Sequence, residues 1–256
     1  MSVDATERAI DGGVKALLTA LDLLDCFALD EELGVSQIAR RLGVAKSTAH
    51  RILTTLCARG LTEKNPETGQ YRLGLHLYEL GQIAINRVKL RQTAFPLLEE
   101  LRQRTGDTIH LSVPDGAEMV YLERLQTLRG MGLVTPIGRR MPSHATSGGK
   151  VLAAFEPELA QARREAGFPQ LTVYTIRSCA EFDRALEVVR RQGYGTSVDE
   201  TAVGLASVAA PVFDSGGRVR ASLSIVAPTD RMQPNVEKTA RLALQAAKVL
   251  SHRAGM

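Results

Sequence analysis

One stretch of the sequence, from Val35 to Leu73, limits the possible folds most strongly, because it contains two short helical segments that both end at glycines. The first segment ends at Gly43 and the second at Gly60. Glycine easily takes the left-handed conformation that ends many helices. Two short helices joined by a tight turn are therefore expected, which is the arrangement of a helix-turn-helix motif.

The bounds of these elements follow from residues that favour helix ends and turns. Ser36 suits the N-cap position, which places the first helix over residues 37–42. The second helix is expected over residues 46–59. After Gly60, a polar turn at 65–69 that contains proline and glycine separates two short extended runs, a pattern that predicts a β-hairpin. The segment thus has the pattern of a winged helix-turn-helix.

Polar side chains cover the side of the second helix that lies opposite its apolar stripe of Ala49, Ile52 and Leu56. In a helix-turn-helix this side enters the major groove, where lysine and arginine suit guanine edges and hydroxyls suit bases or phosphates. Residues 34–75 carry seven basic and two acidic residues, whereas residues 1–33 carry two basic and eight acidic ones, which favours a polyanionic partner. The candidate DNA-binding residues are Ser36, Gln37, Lys46, Ser47, Thr48, His50, Arg51, Thr55, Lys64, Asn65 and Arg72.

Composition excludes several classes of protein. A chain of 256 residues allows one or two domains, and we expect two. Cys26, Cys57 and Cys179 are too far apart in sequence for a metal knuckle and too few for a disulfide framework. No apolar run approaches the roughly 20 residues of a membrane span. The polar, acidic N-terminus has no signal-peptide pattern, so we expect a cytoplasmic protein without membrane contact.

The second part of the chain alternates extended and helical patterns, as a mixed α+β domain does. Apolar residues at alternate positions predict a strand over 109–113, and the turn at 114–116 leads into a second extended run over 118–125. Two further strands, 207–213 and 219–227, flank the hairpin turn 214–217. The helices expected here cover residues 75–91, 93–104, 146–155, 182–189 and 233–252.

One tetrapeptide, Ser147-Gly148-Gly149-Lys150, has the S-x-x-K arrangement of penicillin-recognising enzymes. Neither of the motifs that accompany it in those enzymes is present, and the five histidines have no metal-ligand spacing. We therefore expect no catalytic residue, metal or cofactor. Two alternatives stay open: a serine hydrolase that uses Ser147 and Lys150, and a winged-helix adaptor that binds proteins instead of DNA.

The same tetrapeptide opens a predicted helix after Thr146, and a helix N-terminus with small residues can bind an anion through its free amides and its dipole. Ser207, Ser222 and Ser224 lie in otherwise apolar strands. Their hydroxyls suit a small polar or carboxylate ligand beneath that helix. Alternatively, Ser222 and Ser224 face water on the open side of a sheet.

Several short segments, in this order and spacing, resemble the IclR family of bacterial transcription regulators over nearly the whole chain. In the first part they are VSQIARRLGVAKSTAHRIL at 35–53 and YRLG at 71–74. In the second part they are PSHA at 142–145 with SGGK at 147–150, RQGYG at 191–195 and AAPV at 209–212.

The resemblance implies an architecture and a function. It implies an N-terminal winged helix-turn-helix domain over 1–74, a linker helix over 75–91, and a C-terminal effector-binding domain over 92–256. The last domain is expected to have an antiparallel sheet related to GAF and profilin-like folds. The family also implies homodimers, and pairs of dimers, that bind palindromic double-stranded operator DNA and respond to a small organic effector.

The resemblance further places effector contacts at Ser147, Gly148, Ser207 and Ser224. Two departures matter: many relatives have an acidic residue at the position of Ser197 and a cysteine at that of Ser207. A pocket that is less acidic and more apolar leaves room for a larger or aromatic ligand near Met131 and Leu133. The full set of candidate effector-binding residues is Met131, Leu133, Thr146, Ser147, Gly148, Ser197, Ser207, Ser222 and Ser224.

Overall fold

The structure, a computed structural model, describes residues 14–28, 30–86, 89–127 and 138–253. The chain divides into two compact units, Met1–Arg87 and Val88–Met256, called here the first and the second unit. Among the described residues, every helix is too short or too polar to span a bilayer.

The first unit contains four helices and a small hairpin within its described residues. The elements are α1 (Lys15–Asp25), a 3-10 turn (Cys26–Ala28), α2 (Val35–Leu42), α3 (Lys46–Ala58), β1 (Thr62–Lys64), β2 (Tyr71–Leu73) and α4 (Leu75–Asn86). Strands β1 and β2 pair antiparallel. The predicted helix-turn-helix and hairpin are thus present, and Leu23, Ile38, Ala49 and Leu53 form the centre of one apolar core.

The start of α2 differs from the expected one. Ser36 does not cap the helix, because α2 already begins at Val35 with Gly34 at the N-cap position. The side chain of Gln37 performs the capping function, since its Oε1 accepts a hydrogen bond from the Gly34 amide at 2.8 Å. Gly43 then ends α2 with a φ of 64°, as the sequence predicts.

The second unit is a mixed α+β domain built on an antiparallel sheet. Its elements are α5 (Lys89–Thr105), β3 (Thr108–Asp115), β4 (Glu118–Leu125), β5 (Arg140–Pro142), a 3-10 turn (Ser143–Ala145), α6 (Ser147–Phe155), α7 (Pro157–Ala166), α8 (Cys179–Gln192), β6 (Gly195–Val198), β7 (Leu205–Phe213), β8 (Val219–Pro228), α9 (Thr229–Met232), a 3-10 turn (Gln233–Asn235) and α10 (Val236–Arg253). In the described residues the strand order is β5-β4-β3-β8-β7-β6. The central pair, β3 and β8, comes from segments more than a hundred residues apart.

The two faces of this sheet have different compositions. Successive side chains of a strand point to opposite faces. On one face the apolar residues Leu111, Val208 and Ile225 pack in a core with α5 and α10. On the other face, which α6 covers, the strands carry polar residues such as His110 and Ser224. The polar face is therefore the one on which a ligand can find hydrogen-bonding groups.

Three glycines let the N-terminus of α6 pack closely against the sheet and against the 3-10 turn that precedes the helix. A Cβ atom on Gly149 would lie 2.4 Å from the Ser143 Cα, and one on Gly148 would lie 2.8 Å from the Ser222 Oγ. A Cβ atom on Gly195 of β6 would lie 2.8 Å from the Ser147 carbonyl oxygen. A larger residue at Gly148 or Gly195 would push the helix terminus away from the sheet, and one at Gly149 would clash with the 3-10 turn at Ser143.

Candidate functional site

A cavity of about 440 Å³ lies between the polar face of the sheet and the N-terminus of α6. Five of the predicted effector-binding residues line it: Thr146, Ser147, Gly148, Ser207 and Ser224. The cavity has the size and the mixture of apolar and polar walls that is usual for small-molecule sites.

Of the other four predicted residues, Ser197 and Ser222 do not line the cavity. Ser197 is buried beside it, and its Oγ donates a hydrogen bond to the Ala145 carbonyl at 3.0 Å. Ser222 is fully buried beneath Gly148. The idea that Ser222 and Ser224 face water is wrong, because Ser222 is 0% and Ser224 is 4% exposed. Met131 and Leu133 lie outside the described residues.

The N-terminus of α6 offers hydrogen-bond donors to the cavity. Thr146 Oγ1 accepts a hydrogen bond from the Gly149 amide at 2.9 Å and thereby caps the helix. The first intrahelical bond runs from the Lys150 amide to the Thr146 carbonyl, so the amides of Ser147 and Gly148 precede it. Ser147 Oγ is hydrogen-bonded to Ser207 Oγ at 2.7 Å. This end of the cavity suits an anionic oxygen, because the helix dipole adds positive potential to the donors.

Sequence reasoning missed several polar residues of the cavity wall, namely Thr108, His110, Tyr121, Arg139 and Arg231. The rings of His110 and Tyr121 are in contact, with centroids 4.3 Å apart. Burial, with a smaller contribution from the Arg124 charge, lowers the pKa of His110 to about 3. Burial raises the pKa of Tyr121 to about 12. Both side chains are therefore neutral at physiological pH.

The loop between β6 and β7 closes one side of the cavity and is tied to α6 by an ion pair. Lys150 Nζ donates a hydrogen bond to Glu200 Oε1 at 2.6 Å, and both side chains are largely buried. Burial lowers the pKa of Lys150 and raises that of Glu200. Thr201 and Leu205, which follow Glu200, line the cavity. Because Lys150 is bound to Glu200 and Ser147 to Ser207, the S-x-x-K segment does not form a nucleophile and base pair.

Helix α3 of the first unit displays the predicted recognition residues. Ala49 and Leu53 are buried, whereas Lys46, Ser47, His50 and Arg51 are exposed. Of the remaining predicted residues on this helix, Thr48 is half-buried and Thr55 is exposed, with its Oγ1 bonded to the Arg51 carbonyl at 3.0 Å.

The predicted residues of α2 and the wing are exposed to different degrees. Ser36 and Lys64 are exposed. Asn65 and Arg72 are engaged inside the unit: Asn65 Nδ2 donates to Glu32 Oε1 at 2.6 Å, and Arg72 Nε donates to Glu63 Oε1 at 2.5 Å. Gln37, as described above, caps its own helix. Of the two basic wing residues, Lys64 and Arg72, Lys64 therefore has fewer contacts within the unit that would compete with a DNA phosphate.

Comparison with known proteins gives a family match in both the first and the second unit. A family model described as the bacterial transcriptional regulator IclR C-terminal domain matches residues 82–252, and the IclR helix-turn-helix domain matches residues 16–66. The transcriptional regulator XynR of Escherichia coli K12 is 37% identical over 94% of this chain and 97% of its own length. The transcriptional repressor IclR of the same organism is 28% identical, covering 93% of this chain and 89% of its own.

Solved structures share the whole fold. An IclR homologue from Microbacterium hydrocarbonoxydans, crystallised with 4-hydroxybenzoate, has a TM-score of 0.81 and 30% sequence identity, covering 93% of this chain and 98% of that one. These relatives are regulators and not enzymes. This chain belongs to the IclR family of bacterial transcription regulators, with a helix-turn-helix DNA-binding domain and an effector-binding domain.

Proposed function

We propose that the protein binds a palindromic operator as a homodimer, or as a pair of dimers, and that a small organic acid in the second unit changes its occupancy of that operator. The division into a DNA-binding domain (1–74), a linker helix (75–91) and an effector domain (92–256) is part of this proposal. The observation that carries it is the cavity of about 440 Å³ at the N-terminus of α6, in a chain that also has a winged helix. An effector must favour one arrangement of the DNA-binding domains over another in order to regulate.

The carboxylate part of the effector is assigned to the amides of Ser147 and Gly148 and the hydroxyls of Ser147 and Ser207. Arg139 and Arg231 also line the cavity, and they favour a negatively charged ligand. Arg231 is paired with Asp107, which offsets part of its charge, and Arg139 is exposed to solvent. The 4-hydroxybenzoate bound by the Microbacterium hydrocarbonoxydans homologue is an acid of the proposed class.

Arg51→Ala is expected to weaken operator binding by about 1–3 kcal/mol, because it removes an exposed guanidinium from α3 that can bond a base edge. The affinity for the operator should decrease more than the affinity for unrelated DNA. Fluorescence anisotropy with a footprinted operator and a scrambled duplex measures both values. Equal operator affinity for Arg51→Ala and wild type would show that α3 does not read the DNA.

Lys64→Ala is the matched control, because a phosphate contact from the wing carries no sequence information. It should weaken both duplexes alike and reduce the salt slope of the affinity by about one. A winged-helix adaptor that binds proteins would instead show no such salt dependence, so this control also tests the alternative to DNA binding.

Exposed apolar side chains in the first unit support the proposed dimer. Leu17 and Leu21 of α1 are 58% and 51% exposed, and Tyr78 and Ile83 of α4 are 64% and 56% exposed. Monomers rarely expose so many large apolar side chains within so short a stretch. A two-fold interface over these helices would cover them and present paired recognition helices to a palindrome.

Light scattering at micromolar concentration is therefore expected to give at least the mass of a dimer. The double variant Tyr78→Glu with Ile83→Glu should shift the mass towards the monomer, because each change places a charge in the interface. Val188→Glu on α8 is the control, since it adds the same charge to a different exposed apolar position. A monomeric wild type, or a double variant that stays dimeric, would contradict the assignment of these helices.

A further inference from the structure

The wing of the first unit, formed by β1, β2 and the turn at 65–69 between them, is a very small hairpin. Each of its strands has only three residues. A two-stranded hairpin of this kind is at best marginally stable in water. One anchor lies at its base, where Leu33 and Tyr71 exchange two backbone hydrogen bonds of 2.9 Å each. This contact joins β2 to the segment before α2 and leaves the position of the turn to other contacts.

Glu32, the residue before Leu33, holds that turn with both oxygens of its carboxylate. Its Oε1 accepts a hydrogen bond from Asn65 Nδ2 at 2.6 Å, and its Oε2 accepts one from Thr68 Oγ1 at 2.8 Å. These bonds join residues 33 and 36 positions apart in the chain. Hydrogen bonds to an ionised acceptor are roughly twice as strong as neutral ones. Glu32 is therefore a second anchor of the wing, placed at its turn.

The Glu32 carboxylate stays ionised while it holds the turn. The hydrogen bonds from Asn65 and then from Thr68 keep the pKa of this carboxyl below its usual range. A negative charge on a surface that binds DNA lowers the affinity, because it repels the phosphates. The neighbouring residue Glu31 carries the same charge and is exposed. Glu32 thus differs from Glu31 in its bonds to the wing and not in its charge.

The anchored turn directly follows the basic residue of the wing. Lys64 is exposed and lies at the end of β1, next to Asn65. A loop that is mobile before binding loses conformational freedom when it binds, and this loss of entropy weakens the complex. A wing that is already held in place avoids most of this cost. The bonds from Glu32 therefore favour a phosphate contact by Lys64.

We propose that Glu32 is a positioning residue for DNA binding, whose carboxylate holds the wing turn where Lys64 can contact a phosphate. This inference rests on the proposed function, because it assumes that the wing touches the DNA backbone. It goes beyond that function by assigning to an acidic residue a favourable effect on the affinity for a polyanion. It also assigns to Asn65, a predicted DNA-binding residue, a contact inside the protein.

Fluorescence anisotropy of the full-length protein with the footprinted operator and the scrambled duplex tests this role. Glu32→Ala should weaken the binding of both duplexes by at least about threefold, because the wing turn loses both bonds. Glu31→Ala is the matched control and should leave the affinity unchanged or raise it, since it removes only a repulsive charge. The two variants remove the same charge from adjacent positions, so opposite signs of the effect isolate the contribution of the anchor.

A double-mutant cycle with Lys64→Ala distinguishes positioning from a general structural role. If Glu32 acts through Lys64, then Glu32→Ala should weaken binding by less than about 1.5-fold in the Lys64→Ala background. A residue that stabilises the whole unit would instead cause the same loss in both backgrounds.

Glu32→Gln is the conservative variant, because its amide oxygen can still accept one of the two bonds. Its affinity should lie between that of Glu32→Ala and that of Glu31→Gln. If circular dichroism shows that Glu32→Ala has lost the helical signal of the wild type, the comparison of Glu32→Gln with Glu31→Gln decides, and Glu32→Gln should bind more weakly.

Three results would overturn the inference. The first is a folded Glu32→Ala that binds DNA as tightly as the wild type, and the second is an equal loss with and without Lys64. The third, if Glu32→Ala does not fold, is equal affinity of Glu32→Gln and Glu31→Gln. Failure of the proposed function gives a different result: Lys64→Ala alone would bind both duplexes like the wild type, which would exclude the phosphate contact and the role of Glu32 with it.

Discussion

Glu200→Ala is expected to destabilise the second unit by about 3–5 kcal/mol, because it leaves the buried Lys150 ammonium without its counter-charge. The desolvation cost of both groups is already present in the wild type, and burial lowers the pKa of Lys150. Without Glu200, Lys150 avoids the cost of an unpaired buried charge only by losing its proton. Since the folded state of the variant then binds fewer protons than the unfolded state, its stability should rise with pH below the pKa of the unfolded lysine.

Urea denaturation of Glu200→Ala, at neutral and alkaline pH, measures this effect. Glu187→Ala on the exposed side of α8 is the matched control and should change stability little. The double variant Lys150→Met with Glu200→Leu should recover most of the loss, because it replaces a buried charge pair by apolar groups. A loss below about 1 kcal/mol in Glu200→Ala would show that the pair is effectively solvated in solution.

Lowering the pH from 7.5 to 5 is expected to destabilise the second unit by roughly 2 kcal/mol for each of two buried histidines. Burial lowers the pKa of His110 to about 3 and that of His144 to about 4. In the unfolded chain both return to about 6.5, so the unfolded state takes up protons that the folded state excludes. Stability is therefore highest above pH 6.5, falls as the pH drops, and levels off below the folded pKa values.

The contribution of His110 can be isolated by replacing it. The free energies of unfolding of wild type and His110→Phe should differ by roughly 2 kcal/mol more at pH 5 than at pH 7.5, in favour of the variant. His252→Phe, at an exposed position of α10, should follow the pH dependence of the wild type. Parallel stability curves for wild type and His110→Phe would mean that the imidazole titrates normally in the folded protein.

Local patterns predict much of the fold. The strand β4 has the expected bounds, Glu118–Leu125, because the turn-forming residues Asp115 and Gly116 come just before it. The hairpin of β7 and β8 surrounds the expected turn, and α6 starts next to Thr146, which caps it. By contrast, the four-residue strand β6 (Gly195–Val198) is too short to show a period, and no expectation covered it.

The cavity residues that the sequence did not predict are brought together by contacts between distant segments, which no local pattern contains. His110 reaches the site because β3 pairs with β8, and that pairing joins segments more than a hundred residues apart. The ion pair between Lys150 and Glu200 likewise joins residues fifty positions apart. One signal was available: Thr108, His110 and Ser112 are polar at alternate positions and the residues between them are apolar, which marks a polar face.

We propose that an acid bound in the second unit changes how the winged helix occupies DNA. The most direct test is an anisotropy titration of a footprinted operator, with and without a saturating concentration of the acid that binds most tightly in calorimetry. For the wild type, the acid should change operator affinity by at least about fivefold, and for Ser207→Leu it should change nothing. Operator affinity that is the same with and without the acid, in a wild-type protein that calorimetry shows to be saturated, would show that the acid does not regulate DNA binding.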